Sequence, residues 1–250
     1  MHFVDGSLTD LQICYRKMKQ LFLTSTPDQV YTLKEQAGLI YAGFEGYLDY
    51  LSTELEVLEL PRAIVWTDYQ TASQTISDIP IPAYTNDYRT VMSPQIDIWK
   101  EIYLSQLKGI KTDAFVSKKV QAYYARLSVN NVKQILGHEF VHWSNLFSDE
   151  AYEENRWFEE GMAEYISRKF FLTTAEYKEE KEINKMLVDC YEKCHGKTCL
   201  SEFTVNTYIA DYSTVFHYYW KSFLKVEEII DKQKGDIRTV IDRFNAGDIK

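Results

Sequence analysis

His138-Glu139-Phe140-Val141-His142 has the pattern H-E-x-x-H. On an α-helix, residues four apart share one face, so His138 and His142 present two imidazoles to one point. That pair with a glutamate beside it is the arrangement of a zinc-dependent hydrolase. The chemistry accounts for the residue types. Neutral imidazoles leave the metal's charge uncancelled, and zinc lowers the pKa of bound water from about 15.7 to about 7. Glu139 stands where a carboxylate can take the proton. Around the motif, Val132, Ile135, Leu136, Phe140 and Trp143 recur at helical spacing, and Asn130 or Asn131 is placed to cap the start. The plainer alternative is a surface helix that happens to carry two histidines.

The next distinctive stretch is Trp157-Phe158-Glu159-Glu160-Gly161-Met162-Ala163-Glu164-Tyr165. Glu160 and Glu164 lie one helical turn apart on one face. The two stretches together resemble the gluzincins, metallopeptidases whose third zinc ligand is a glutamate on a second helix. The form W-x-x-E-G-x-A-E-Y is similar to the aminopeptidase-N-like enzymes and small bacterial peptidases of the same clan. The resemblance implies Glu160 as the ligand, with 17 residues between it and His142. It also implies that Glu164 accepts the free ring N–H of a ligand histidine, His138 being the candidate. Gly161 is then where the two helices approach closely. The strong resemblance covers about residues 130–170; elsewhere only the order of elements is similar.

Composition sets wider bounds. The chain has 250 residues, 45% of them hydrophobic and 26% charged, as expected of a globular protein able to bury a sizeable core. With only 10 Gly and 5 Pro, long helices are favoured over a turn-rich β fold. Net charge is −9 and no basic cluster marks a nucleic-acid or membrane patch. No run approaches the length of a transmembrane segment. Met1-His2-Phe3-Val4-Asp5-Gly6 lacks the features of a secretion signal, so the chain, taken as a full gene product, is expected in the cytoplasm. Export with a signal already removed is the alternative. Cys190, Cys194 and Cys199 fall close together as C-x3-C-H-x3-C, with Cys14 remote. Free thiols are the default, with a disulfide in the cluster, or a second zinc site including His195, as alternatives.

In chain order, Leu8, Leu11, Ile13, Tyr15, Met18, Leu21 and Phe22 predict a helix over 8–23. A long helical stretch is expected over 28–58, interrupted weakly by glycines and ended by Pro61. Ala63-Ile64-Val65-Trp66-Thr67 reads as a strand. Residues 70–94 read mostly as loop, and 96–107 as a helix closed by Gly109. Ala114-Phe115-Val116 and 120–127 read as a hairpin around Ser117-Lys118-Lys119, leading into the metal helix. In the resembling family such a strand lines the cleft and pairs with substrate backbone; an ordinary lysine-guarded edge strand is the alternative. Residues 148–156 form an acidic connection and 157–170 the Glu160 helix. Thr173 or Thr174 starts a helix ended by Gly196, and 200–207 reads as loop. Tyr208, Tyr212, Val215, Phe216, Tyr219 and Phe223 recur at helical spacing, and short helices follow over 226–234 and 237–244.

The expectation is an α+β, zincin-like protein of two lobes, mostly helical with a small N-terminal sheet. Residues 1–250 form one catalytic domain, 1–147 carrying the sheet and metal helix and 148–250 the helical lobe. Its function reads as peptide-bond hydrolysis with one zinc ion per chain. His138, His142 and Glu160 are the candidate ligands, Glu139 the general base and Glu164 the supporting carboxylate. The resemblance further implies an oxyanion donor from the C-terminal lobe. Tyr208, 48 residues after Glu160, is favoured, with Tyr212 as alternative and His217 after it. A G-x-M-E-N segment, which would bind a free substrate amine, is missing. That points to an endopeptidase or a narrow-specificity processing enzyme acting on a peptide or protein. The rivals are a non-catalytic module that keeps the fold for binding, opposed by the intact general base, and a zinc hydrolase of a non-peptide amide.

Overall fold

The computed structural model describes residues 18–147 and 155–249. Ala63–Thr67 is rich in β-branched and aromatic side chains and buried along its whole length. Such a segment cannot stand at a solvent-facing edge, and it forms a central strand, β2. β1 (Lys19–Leu23) pairs parallel to it on one side. β4 (Arg89–Met92) pairs parallel on the other. β3 (Ala83–Thr85) adds antiparallel to β4, giving the order β1-β2-β4-β3 among the described strands.

Two expectations for this region change. The part of the predicted 8–23 helix that is described, Lys19–Leu23, is a strand, because β2 offers it a ladder that begins with Lys19 N–H donating to Arg62 O at 3.0 Å. Leu8, Leu11, Ile13, Tyr15 and Cys14 lie outside the described residues. The loop expected over 70–94 carries helical turns at Tyr69–Thr71 and Ala72–Ile76 and the strands β3 and β4. Pro82 is tolerated next to β3 because it lends the sheet an acceptor, Ser93 N–H donating to Pro82 O at 2.8 Å.

The stretch expected as one long helix is two, α1 (Val30–Tyr41) and α2 (Glu45–Glu54). Gly43 separates them at φ +73°, a conformation that glycine reaches without steric cost. α3 (Ile96–Ser105) follows the sheet, extended by a 3-10 turn over Gln106–Gly109.

The expected hairpin is instead a helix, α4 (Ala114–Tyr124). Asp113 caps it, accepting from Val116 N–H at 2.8 Å. The buried residues Val120, Tyr123 and Tyr124 fall at i, i+3 and i+4, and Tyr103 and Tyr124 stack at 5.1 Å. Packing on α3 thus overrides the β preference of the valines and aromatics.

The remaining helices are α5 (Val129–Val141), α6 (Arg156–Phe171), α7 (Thr174–His195), α8 (Tyr212–Lys232) and α9 (Ile237–Asn245). α5 starts at Ser128 rather than at Asn130 or Asn131. Asn131 serves one turn inside, its Oδ1 accepting from Ser128 N–H at 2.9 Å. Thr173 caps α7 with Glu176 in a reciprocal capping box. α8 is longer than expected and runs through the predicted break before 226. The connection expected over 148–156 lies outside the described residues up to 154.

α6 packs between α5 and α8, and these three helices form the centre of the core. An aromatic group of Phe44, Tyr47, Phe140 and Phe171 locks α2 onto α5, and Tyr47 donates to Gly137 O at 3.0 Å. The protein is mostly helical with one small sheet, an α+β arrangement. Among the described residues no helix is long and apolar enough to cross a membrane.

Candidate metal centre

α5 brings His138 and His142 to one side of its C-terminal end, and the first turn of α6 brings Glu159 and Glu160 against them. Gly161, expected where the two metal helices approach, faces α8 instead, and its lack of a side chain lets α6 pack closely there. A Cβ at that position would lie 2.6 Å from Ser222 O and 2.7 Å from Val226 Cγ2 of α8.

Three donor atoms converge. His138 Nε2 lies 3.1 Å from Glu160 Oε2 and 3.2 Å from His142 Nε2, and His142 Nε2 lies 3.6 Å from Glu160 Oε2. Among the described residues these three make up the potential metal-binding group. Zinc–ligand bonds of about 2.0–2.2 Å at tetrahedral angles put donors roughly 3.3–3.5 Å apart. The observed triangle therefore has the size of three corners of a zinc tetrahedron.

The other ring nitrogens support that reading. His142 Nδ1 lies 2.6 Å from Glu159 Oε1, and His138 Nδ1 lies 3.1 Å from Glu164 Oε1. Carboxylates there assign the ring protons to Nδ1. Both Nε2 lone pairs then face each other and a carboxylate oxygen, an arrangement that a metal ion between them satisfies and that protons satisfy in its absence.

Charge gives the same answer. Glu139, Glu159, Glu160 and Glu164 are all buried around two imidazoles. Burial opposes charge on His138, yet Glu164 and Glu160 outweigh it and push its pKa up to about 9. Burial likewise opposes charge on Glu160, while His142 and His138 hold its carboxyl well below the usual range. Without a metal, the site thus draws protons onto its imidazoles. Burial pushes Glu139 up to about 7 against the pull of His138 and His142.

The centre lies in a cleft of about 1070 Å³. β3 and the following Asn86 and Asp87 line it, with Tyr208 and Tyr219 also contributing. Trp143 Nε1–H donates to Thr85 Oγ1 at 3.0 Å and so ties β3 to the end of the metal helix.

Of the three proposed oxyanion donors, Tyr208 reaches the centre. It sits in a 3-10 turn, Val205–Ile209, and its hydroxyl donates to Glu160 Oε1. Tyr212 is elsewhere, its hydroxyl donating to Pro80 O at 2.9 Å and meeting Tyr69 Oη at 3.0 Å. His217 is also remote, with Nε2 2.8 Å from Thr198 Oγ1 and its ring stacked 4.0 Å from Tyr191; burial pushes its pKa down to about 4. Cys190, Cys194 and Cys199 are free thiols, and His195 Nε2 meets Gly109 O at 2.8 Å.

Sequence reasoning missed Glu159 and Tyr219. Glu159 had a signal, standing beside Glu160 where the helix turns by about 100° per residue. Tyr219 had none, since its spacing fits an ordinary core aromatic.

A helical α+β body with a buried His-His-Glu set on a peptide-sized cleft defines a metallohydrolase. A family model described as collagenase, peptidase family M9, matches residues 107–250. That is more than half of the chain, which belongs to this family of zinc metallopeptidases. The match begins after the sheet, so β1 to β4 lie outside it. Comparison with curated proteins and with solved structures gave no match.

Proposed function

We propose that the chain hydrolyses peptide bonds as a gluzincin-type, two-lobed peptidase, with His138, His142 and Glu160 holding one zinc ion. The triangle of three potential ligand atoms 3.1–3.6 Å apart carries this reading. A zinc ion in a three-ligand site supplies Lewis acidity toward water and the peptide carbonyl.

The protein's own groups supply the rest. Glu139 takes the proton of the attacking water and delivers it to the leaving amine. A buried carboxyl near neutrality suits both transfers. Glu159 and Glu164 fix the two imidazoles through Nδ1. Tyr208 turns its hydroxyl from Glu160 Oε1 to the carbonyl oxygen as that oxygen gains charge.

β3 is the outermost described strand of its sheet on the cleft side. We assign to it the substrate-pairing role that the sequence had put on 114–127. An extended peptide laid along β3 bonds through main-chain groups. Endopeptidase action or narrow processing is favoured by the missing amine-binding segment.

The test is a cleavage-site profile on a mixed peptide library that includes denatured collagen chains, with and without chelator. Internal cuts that stop with chelator and return with zinc are expected. Cleavage indifferent to chelator would overturn the assignment.

A further inference from the structure

Behind Glu164 lie two buried charges, Arg168 and Glu180, that the proposed reaction does not use. Glu164 stands one turn from Glu160 on α6, and Arg168 one turn further. Arg168 Nη1 lies 2.5 Å from Glu164 Oε2, and Arg168 Nε donates to Glu180 Oε1 of α7 at 3.1 Å. Gln134 Nε2–H of α5 also donates to Glu164 Oε2, at 3.2 Å. Arg168 is 0% exposed, Glu180 5% and Gln134 3%. The guanidinium is held from the other side by Phe223 and Trp220, whose ring centroids lie 4.3 and 5.0 Å away.

The two oxygens of Glu164 are thus divided. Oε2 is taken by Arg168 and Gln134, and Oε1 faces His138 Nδ1 at 3.1 Å. A carboxylate on a two-torsion stem otherwise exchanges its oxygens and swings by ångströms. Here the Arg168 ion pair and the Gln134 hydrogen bond hold one oxygen, which leaves the other facing the imidazole. A buried ion pair is weak evidence of stability, because desolvation offsets its attraction. Stability alone therefore gives little reason to bury this one against the metal centre.

We propose that Arg168 is a positioning residue for the metal centre: it clamps Glu164, which sets the tautomer and orientation of His138. The proposal rests on the reading of His138 as a metal ligand. Carboxylates and their partners around a metal-binding histidine typically change metal affinity about 10–100-fold when removed.

The test measures zinc affinity by competition with a chromogenic chelator, and the visible spectrum of the cobalt-substituted protein. Arg168→Met alone leaves two orphaned carboxylates and risks unfolding. The double variant Arg168→Met/Glu180→Gln removes one positive and one negative charge, so the net charge of the buried triad is kept. It is expected to fold, to bind zinc tenfold or more weakly, and to show a shifted cobalt spectrum. Glu180→Gln alone keeps the Arg168–Glu164 contact and is expected to stay near the parent affinity.

A folded double variant with parental zinc affinity and cobalt spectrum would overturn the proposal. So would a loss in Glu180→Gln as large as in the double variant. Failure of the double variant to fold would make the triad a support of the core and overturn it too. A parent protein that binds no zinc is a separate result, one that removes the metal-centre reading itself.

Discussion

Gly161→Ala tests whether the close approach of α6 and α8 sets the metal geometry. The new Cβ would sit 2.6 Å from Ser222 O and 2.8 Å from Ser222 C, both backbone atoms, and 2.7 Å from Val226 Cγ2. Ordinary carbon–oxygen contact begins at about 3.3 Å. The helices must therefore part by roughly 0.7 Å. A main-chain carbonyl inside α8 cannot rotate away without losing its helical bond, so the strain goes into a shift of α6. Overpacking of this kind costs about 1–3 kcal/mol. At about 2–4 °C per kcal/mol for a chain of this size, the melting temperature falls by several degrees.

The shift also moves Glu160, the adjacent residue. Catalytic groups hold their geometry to about 0.5 Å, and a misplacement near 1 Å can cost on the order of 10²-fold. The expected result is a folded variant that melts lower, binds zinc more weakly by chelator competition and has reduced kcat. Gly38→Ala is the control, because a Cβ there would meet nothing within 4 Å; it should gain up to about 1 kcal/mol from helix propensity. A Gly161→Ala protein with parental melting temperature and zinc affinity would refute the argument.

Glu139→Gln is expected to keep zinc and lose most peptidase activity; turnover like the parent's would remove Glu139 as the base. Glu159→Ala, which deletes the 2.6 Å partner of His142 Nδ1, should weaken zinc binding about 10–100-fold in a chelator titration, and unchanged affinity would make that contact incidental. Tyr208→Phe should lower kcat by about 10²–10³ with KM little changed, while Tyr212→Phe, whose hydroxyl is bound to Pro80, should leave kcat alone. The reverse pattern in steady-state kinetics would move the donor away from Tyr208.

Much of the centre was legible because it depends on helical periodicity. His138 and His142, and Glu160 and Glu164, share faces through local geometry that tertiary contacts do not alter. The same holds for Thr173 before Glu176, a cap readable from side chains three residues apart. Signals failed where a segment had two readings. Ala114–Tyr124 carries valine and aromatic residues that suit a strand, yet Val120, Tyr123 and Tyr124 also have helical spacing, and their packing on α3 decided between the two.

Helical spacing read from the chain alone sets which groups meet within a turn of helix: the paired imidazoles, the glutamate between them, and the carboxylates of α6. What faces them depends on how the helices and sheet pack. Thr85 and Trp143 are 58 residues apart, and Glu180 and Arg168 lie on different helices. The wall of the cleft is β3, a three-residue strand in a proline-bearing stretch whose identity comes from its pairing with β4. A strand of that length has too few residues to show a period, and its backbone bonds depend on a partner supplied by the rest of the fold. Contacts of this kind leave no spacing in the chain, because the distance between partners is set by how helices and sheet pack.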